Sequence, residues 1–193
     1  MLTKQEIEDI FRTTGAMLTG HFKLTSGLHS DRYFQCAMVL QHPNRTESLC
    51  SELARKFAGE NISLVVGPAV GGIIVSYEVG RALGARSLFT ERENGVMTLR
   101  RGFTIEKGEK VLVVEDVITT GGSVRETIEA VREKGGEVAG VGVLVDRSNG
   151  AVNFGVKTEA LLTTEVITYQ PDVCPLCRQG QPAIKPGSRT FEK

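Results

Sequence analysis

The sequence predicts an α/β fold with a mainly parallel sheet covered by helices on both faces. Strand-like runs recur at 62–66, 86–89, 111–114 and 138–145, valine-containing in all but the second. Glycine-rich loops join several of these runs to the helices that follow. The run at 111–114, Val-Leu-Val-Val, shows no polar alternation, as expected of a strand buried on both faces. Strands alternating with helices imply parallel crossovers rather than a series of hairpins.

Taken in order, Thr3 and Glu6 form a capping box for a helix carrying Ile7, Ile10 and Phe11 on one stripe and ending near Gly15. Between 17 and 40 the pattern becomes short alternating pieces broken at Gly20 and Ser26-Gly27, which reads as extended structure and turns. Asn44 is expected to cap a helix with Leu49, Leu53 and Phe57 on one face, closed by Gly59. A strand at 62–66, a loop at 67–72 and a helix at 73–83 follow. A second strand is expected at 86–89, then a polar stretch to 108. After the strand at 111–114, a loop from 115 to 122 enters a helix through Ile128 and Val131 that stops at Gly135-Gly136. Strands at 138–145 and, shorter, at 160–162 complete the pattern.

Formal net charge is zero and neither half is strongly basic, which excludes an electrostatic footprint for nucleic acid. No apolar run reaches the roughly 18 residues of a membrane span. The polar N-terminus opens a helix rather than a signal peptide, so the cytoplasm is the expected compartment. The cysteines Cys36, Cys50, Cys174 and Cys177 suggest no disulfide framework in a chain of 193 residues.

In open parallel sheets, ligands bind beyond the carboxyl ends of the strands. Three loops leave those ends: 67–72, 115–123, and the one beginning at Asp146-Arg147. The segment VLVVEDVITTGGSVRE contains neither a Walker A loop nor a dinucleotide fingerprint. It places two acids, Glu115 and Asp116, after an apolar strand, followed by Thr119-Thr120-Gly121-Gly122-Ser123 and a helix start. Amides of such a turn form a cradle for a phosphate, and the glycines allow close approach. The acids would repel that phosphate, so their partners are sugar hydroxyls or a divalent cation. One sugar phosphate satisfies both ends. The same residues also read as a strand end and a helix cap.

VVEDVITTGGS resembles the phosphoribosyl pyrophosphate (PRPP) motif of type I phosphoribosyltransferases. The resemblance implies that family's fold, a central parallel sheet flanked by helices with a small N-terminal hood. It implies a single domain over 1–193, with the hood from about 1–40 plus the C-terminal tail and the PRPP-binding core at about 63–162. Glu115 and Asp116 would hold the ribose hydroxyls directly or through Mg²⁺, and the turn, with Val117 and Ile118 leading into it, would bind the 5-phosphate. The loop with Ala69, Val70, Gly71 and Gly72 resembles the pyrophosphate loop.

HFKLTSGLHSDRYF resembles the signature of orotate phosphoribosyltransferases, which places Tyr33 and Phe34 as ring-stacking residues over orotate. Asp146-Arg147 matches the family's Asp-Arg, whose arginine contacts orotate, and a guanidinium suits a carboxylate or imide edge. A local salt bridge between the two neighbours is the competing reading. Thr119 is carried over as lying near the pyrimidine. The implied reaction transfers the phosphoribosyl group from PRPP to orotate, giving orotidine 5′-monophosphate and pyrophosphate, in a homodimer whose mobile loop reaches the neighbouring site.

The chain departs from the enteric-type pattern at Thr25 and Gly71, where lysines are usual, and in ERENGVMTLRRGF, which has no Lys or His. Arg92 is the nearest counterpart of the catalytic-loop cations, with Arg100 and Arg101 further along; the expected catalytic set is Asp116, Glu115 and Arg92. Transfer to a purine or uracil, and a non-catalytic PRPP-binding regulator, stay open. The ending CPLCRQGQP resembles a divergent branch of the family. Cys174 and Cys177 invite zinc, but four ligands are needed and no second CxxC or paired histidine lies nearby. His21, His29 and His42 are distant in sequence and read as packing or surface residues; completion by a second subunit stays open.

Overall fold

A computed structural model describes residues 1–24, 26–164 and 167–185; Thr25 lies outside them. The principal sheet has six strands: β3 (Leu64–Pro68), β4 (Arg86–Glu93), β5 (Val96–Leu99), β6 (Lys110–Ile118), β7 (Glu137–Asp146) and β8 (Lys157–Thr163). Their order is β5-β4-β3-β6-β7-β8, all parallel except β5. Helices α1 (Lys4–Thr13), α3 (Pro43–Arg55), α4 (Gly71–Leu83) and α5 (Gly122–Glu133) accompany it. Alternation along the central strands divides the core. Leu112 and Val114 pack with Phe11, Leu49, Leu53 and Val75, whereas Val111 and Val113 pack with Val124, Ile128 and Val131 of α5.

A second, antiparallel sheet joins β1 (Met17–Lys23), β2 (His29–Phe34) and the two-residue β9 (Thr168–Tyr169). Short α2 (Ala37–Leu40) connects β2 to α3, and a 3-10 turn, Pro171–Val173, leads into α6 (Pro175–Arg178). The chain then returns to β1, where Ile184 exchanges backbone hydrogen bonds with His21 and Lys23 at 2.8 Å. His21 and His29 are buried, as packing residues would be, but the return corrects the expectation that no paired histidine lies near the cysteines. It brings both against Cys174 and Cys177.

The capping box of α1 forms as expected, with Thr3 accepting from the Glu6 amide and Glu6 accepting from the Thr3 amide. Three boundaries differ. His42, not Asn44, precedes α3, because Pro43 occupies the first helical position, where its missing N–H costs nothing. The polar stretch after 89 is a hairpin: β4 continues to Glu93 and pairs with β5 across Asn94-Gly95, both with positive φ (51° and 85°). Asn-Gly is the dipeptide such a two-residue turn favours, so a signal was present but diluted by charged neighbours. Finally, β6 continues through Ile118, so the acids stand within a strand rather than opening a loop.

Candidate active site

Val117 and Ile118 pair with Val145 and Asp146 of β7, which carries β6 four residues beyond its apolar run and fixes the acids on a rigid element. Glu115 is buried and Asp116 half-buried. Glu115 Oε1 accepts from the Asp116 amide at 3.1 Å, and Asp116 Oδ1 accepts from the Val117 amide at 2.8 Å. Burial, and then the neighbouring Asp116, push the Glu115 carboxyl well above the usual range. Such a pair suits donors that relieve the charge: hydroxyls or a hard divalent cation.

The glycine-rich loop closes over this pair. The Ala69 amide donates to Thr90 at 2.7 Å, the Ala69–Val70 peptide is cis, and α4 starts at Gly71 without a side-chain cap. A Cβ on Gly71 would collide with the Asp116 carboxylate, and one on Gly72 would lie 3.3 Å from Glu115 Oε1. Any side chain at position 71 therefore requires either this loop or the Asp116 carboxylate to shift.

Beyond Ile118, the chain turns through Thr119 and Thr120 to Gly121, whose φ of 75° favours glycine. A Cβ there would also meet Phe154 and Val152 at 2.8 Å. Helix α5 begins at Gly122 with no side-chain cap, so its first amides remain available to an anion. This turn, Ser123 and Glu115 line a cavity of about 210 Å³. Arg92 is on its rim, paired with Glu126 at 2.8 Å and donating to the Gly95 carbonyl at 2.7 Å. Arg101 is engaged by Glu91 through two 3.0 Å bonds, and Arg100 by Glu93 at 3.1 Å. Neither lines the cavity.

Thr119 and Thr120 also form a wall of a second cavity, of about 610 Å³. Tyr33, Phe34 and Arg147 line it, so the segments expected to choose the base lie beside the phosphate-sized cavity. Alternation along β2 separates the two aromatics. Phe34 is buried edge-on to Phe11, with ring centroids 6.4 Å apart, while Tyr33 is tilted against Phe22.

Asp146 makes no ion pair with Arg147 among the described residues. Its carboxylate instead accepts from the Ser148 amide at 2.7 Å, the Ser148 hydroxyl at 2.6 Å and the Gly150 amide at 2.9 Å. These bonds shape the loop that presents Arg147, whose own amide donates to Ile118 at 2.9 Å. Arg147 Nε is buried without a hydrogen-bond partner among the described residues, and burial lowers its pKa. A planar acceptor in the cavity would relieve both. The sequence reading missed Lys23, which β1 supplies, and Thr168 and Lys185, which β9 and the returning tail bring to the cavity wall from far along the chain.

Residues 35–154 match the model of the phosphoribosyl transferase domain family. The chain is 73% identical to orotate phosphoribosyltransferase of Pelotomaculum thermopropionicum, over 97% of this chain and 99% of that one. It is 69% identical to the enzyme of the same name from Desulforamulus reducens, over 97% and 98%. Among solved structures, the orotate phosphoribosyltransferase of Aeropyrum pernix superposes with a TM-score of 0.69 at 28% identity, covering 81% of this chain and 93% of that one. The Mycobacterium tuberculosis enzyme in complex with inorganic phosphate gives 0.67 at 27% identity, over 83% and 95%. With the acid pair, the hydroxyl-rich turn and the adjoining arginine cavity on one framework, this chain belongs to the orotate phosphoribosyltransferases, within the phosphoribosyl transferase domain family.

Proposed function

We propose that the two adjoining cavities bind the two substrates of one reaction, transfer of the phosphoribosyl group of PRPP to orotate to give orotidine 5′-monophosphate and pyrophosphate, a step of pyrimidine biosynthesis. The observation that carries the reading is the shared wall: Thr119 and Thr120 line both cavities, so groups bound in each meet there. The 5-phosphate is held by amides and hydroxyls of 119–123 at the start of α5, where the helix dipole favours an anion. Asp116 and Glu115 accept from the ribose hydroxyls, and the uncapped amides of the 69–72 loop face the departing pyrophosphate. Arg147 pairs with the carboxylate or imide edge of orotate. Tyr33 supplies the stacking face, and Phe34, buried against Phe11, lines the same cavity behind it.

Positive charge grows on the ribose as the bond from C1 to pyrophosphate breaks and the orotate nitrogen attacks. The chain's contribution is positioning and electrostatic complementarity, with no protein nucleophile. Mg²⁺, held through Glu115, Asp116 and PRPP, supplies charge neutralisation for the leaving group when bound. Arg92 reaches the phosphate side from the hairpin and is a catalytic cation only if it exchanges Glu126 for substrate. The reading places the chain in the cytoplasm, with reduced thiols; no helix among the described residues is long and apolar enough to cross a membrane. It also includes a homodimer, supported by Val70, Ile74 and Tyr77, which leave an apolar strip exposed along α4. The test is pyrophosphate release from PRPP and Mg²⁺ with orotate, uracil, hypoxanthine or xanthine. Release with orotate alone is expected; release with a purine and not orotate would overturn the reading.

A further inference from the structure

The side chains of His21, His29, Cys174 and Cys177 take no part in the chemistry above, yet their ligand atoms all lie within 4.8 Å of one another. His21 Nε2 is 2.8 Å from His29 Nδ1, 3.5 Å from Cys174 Sγ and 3.8 Å from Cys177 Sγ; His29 Nδ1 is 3.3 Å from Cys177 Sγ. Tetrahedral zinc, with bonds of about 2.0–2.1 Å to nitrogen and 2.3 Å to sulfur, requires separations of roughly 3.3 Å between nitrogens and 3.5 Å between nitrogen and sulfur. These three nitrogen–sulfur distances match within a few tenths of an ångström, and the remaining pairs lie within 4.8 Å. The two nitrogens need to part by about half an ångström, a small imidazole displacement.

Protonation supplies the second argument. His21 Nδ1 lies 2.7 Å from the Gln181 carbonyl, which can only accept, so Nδ1 carries the proton and the neutral ring presents the Nε2 lone pair to the cluster. Three neighbours then converge on that single lone pair, more than it can accept. One cation satisfies all of them, with both sulfurs as thiolates. His21, His29 and Cys174 are buried, and Cys177 is exposed, giving an entry path.

We propose that His21, His29, Cys174 and Cys177 form a structural zinc site that fastens the C-terminal segment to β1 and β2. A Cys₂His₂ set selects zinc among common divalent ions. The ligands are far apart in the chain, His21 and Cys174 being 153 positions apart, so the ion ties down a segment whose regular structure among the described residues is two-residue β9, a 3-10 turn and one-turn α6. Within that segment Lys185 stands on the wall of the larger cavity, so the ion also steadies one side of the proposed orotate site without touching it. The zinc assignment does not depend on which base is bound.

The full chain, purified without a polyhistidine tag or chelator from zinc-supplemented cells, is expected to hold about one zinc per chain by elemental analysis. His42→Gln should retain it, whereas Cys177→Ser and His29→Ala should lose it. Cobalt exchanged into the chain should show thiolate charge transfer and the intense visible bands of tetrahedral coordination. Cys177 should resist alkylation until a chelator is added. If the substituted chains fail to fold, the metal content and alkylation of the unsubstituted chain decide the matter. A chain without zinc, or one whose exposed Cys177 alkylates at once, would overturn the proposal.

Discussion

The two sides of the site are built in opposite ways. The smaller cavity is lined chiefly by consecutive residues, 117–124, at the end of one buried strand, and its shape follows from a strand, a turn and a helix start. The larger cavity takes Lys23 from β1, Tyr33 from β2, Thr119 from the turn, Arg147 after β7, Thr168 from β9 and Lys185 from the tail. A phosphate needs amides in sequence at a helix terminus, which a short motif can encode. A planar base needs faces and edges from several directions, which only tertiary structure assembles.

That contrast predicts how lesions separate. The largest effect is expected from Asp116→Asn, which keeps shape and removes charge at the proposed ribose position: kcat/KM should fall about 100-fold or more with the thermal transition preserved. Unchanged kcat/KM would detach the acids from the chemistry. Arg147→Ala comes next. Losing a charge-assisted pair should raise KM for orotate about tenfold or more, with KM for PRPP nearly constant. A larger rise for PRPP would merge the two sides that the structure keeps apart.

The smallest expected effect is on stability. The Glu115 carboxyl is raised to about 9 by burial and by Asp116, so the folded chain holds a proton that the unfolded chain releases near 4.5. A carboxyl raised on folding subtracts from stability as pH climbs from the unfolded value toward the folded one. Glu115→Gln, which is neutral throughout, should match the parent near pH 5 and melt several degrees higher at pH 8.5, at about 2–4 °C per kcal/mol. A difference independent of pH, in melts monitored by circular dichroism, would show that Glu115 is not the group responsible.

The same contrast explains what was legible in the sequence. The strand-loop-helix rhythm, the acid pair, Gly121 and the helix after it were all readable, because each is a local pattern. Arg147 was readable because it follows a strand end directly. Thr168 and Lys185 were not, since nothing local shows that the chain returns to β1 and β2. The pairing of His21 and His29 with two cysteines about 150 residues away was invisible for the same reason. The hairpin over 86–99 is a different failure: Asn94-Gly95 announced it, but the charged residues of β4 concealed the strand. Tyr33 and Phe34 both line the larger cavity, but strand alternation packs the Phe34 ring against Phe11.

The account rests on one turn and one pair of acids holding opposite ends of a single sugar phosphate, with the base in the next cavity. A crystal structure with PRPP, Mg²⁺ and orotate tests this most directly. Density for the 5-phosphate against the 119–123 amides, ribose hydroxyls at Glu115 and Asp116, and orotate beside Arg147 is the predicted result. PRPP bound elsewhere, with the turn empty, would contradict it.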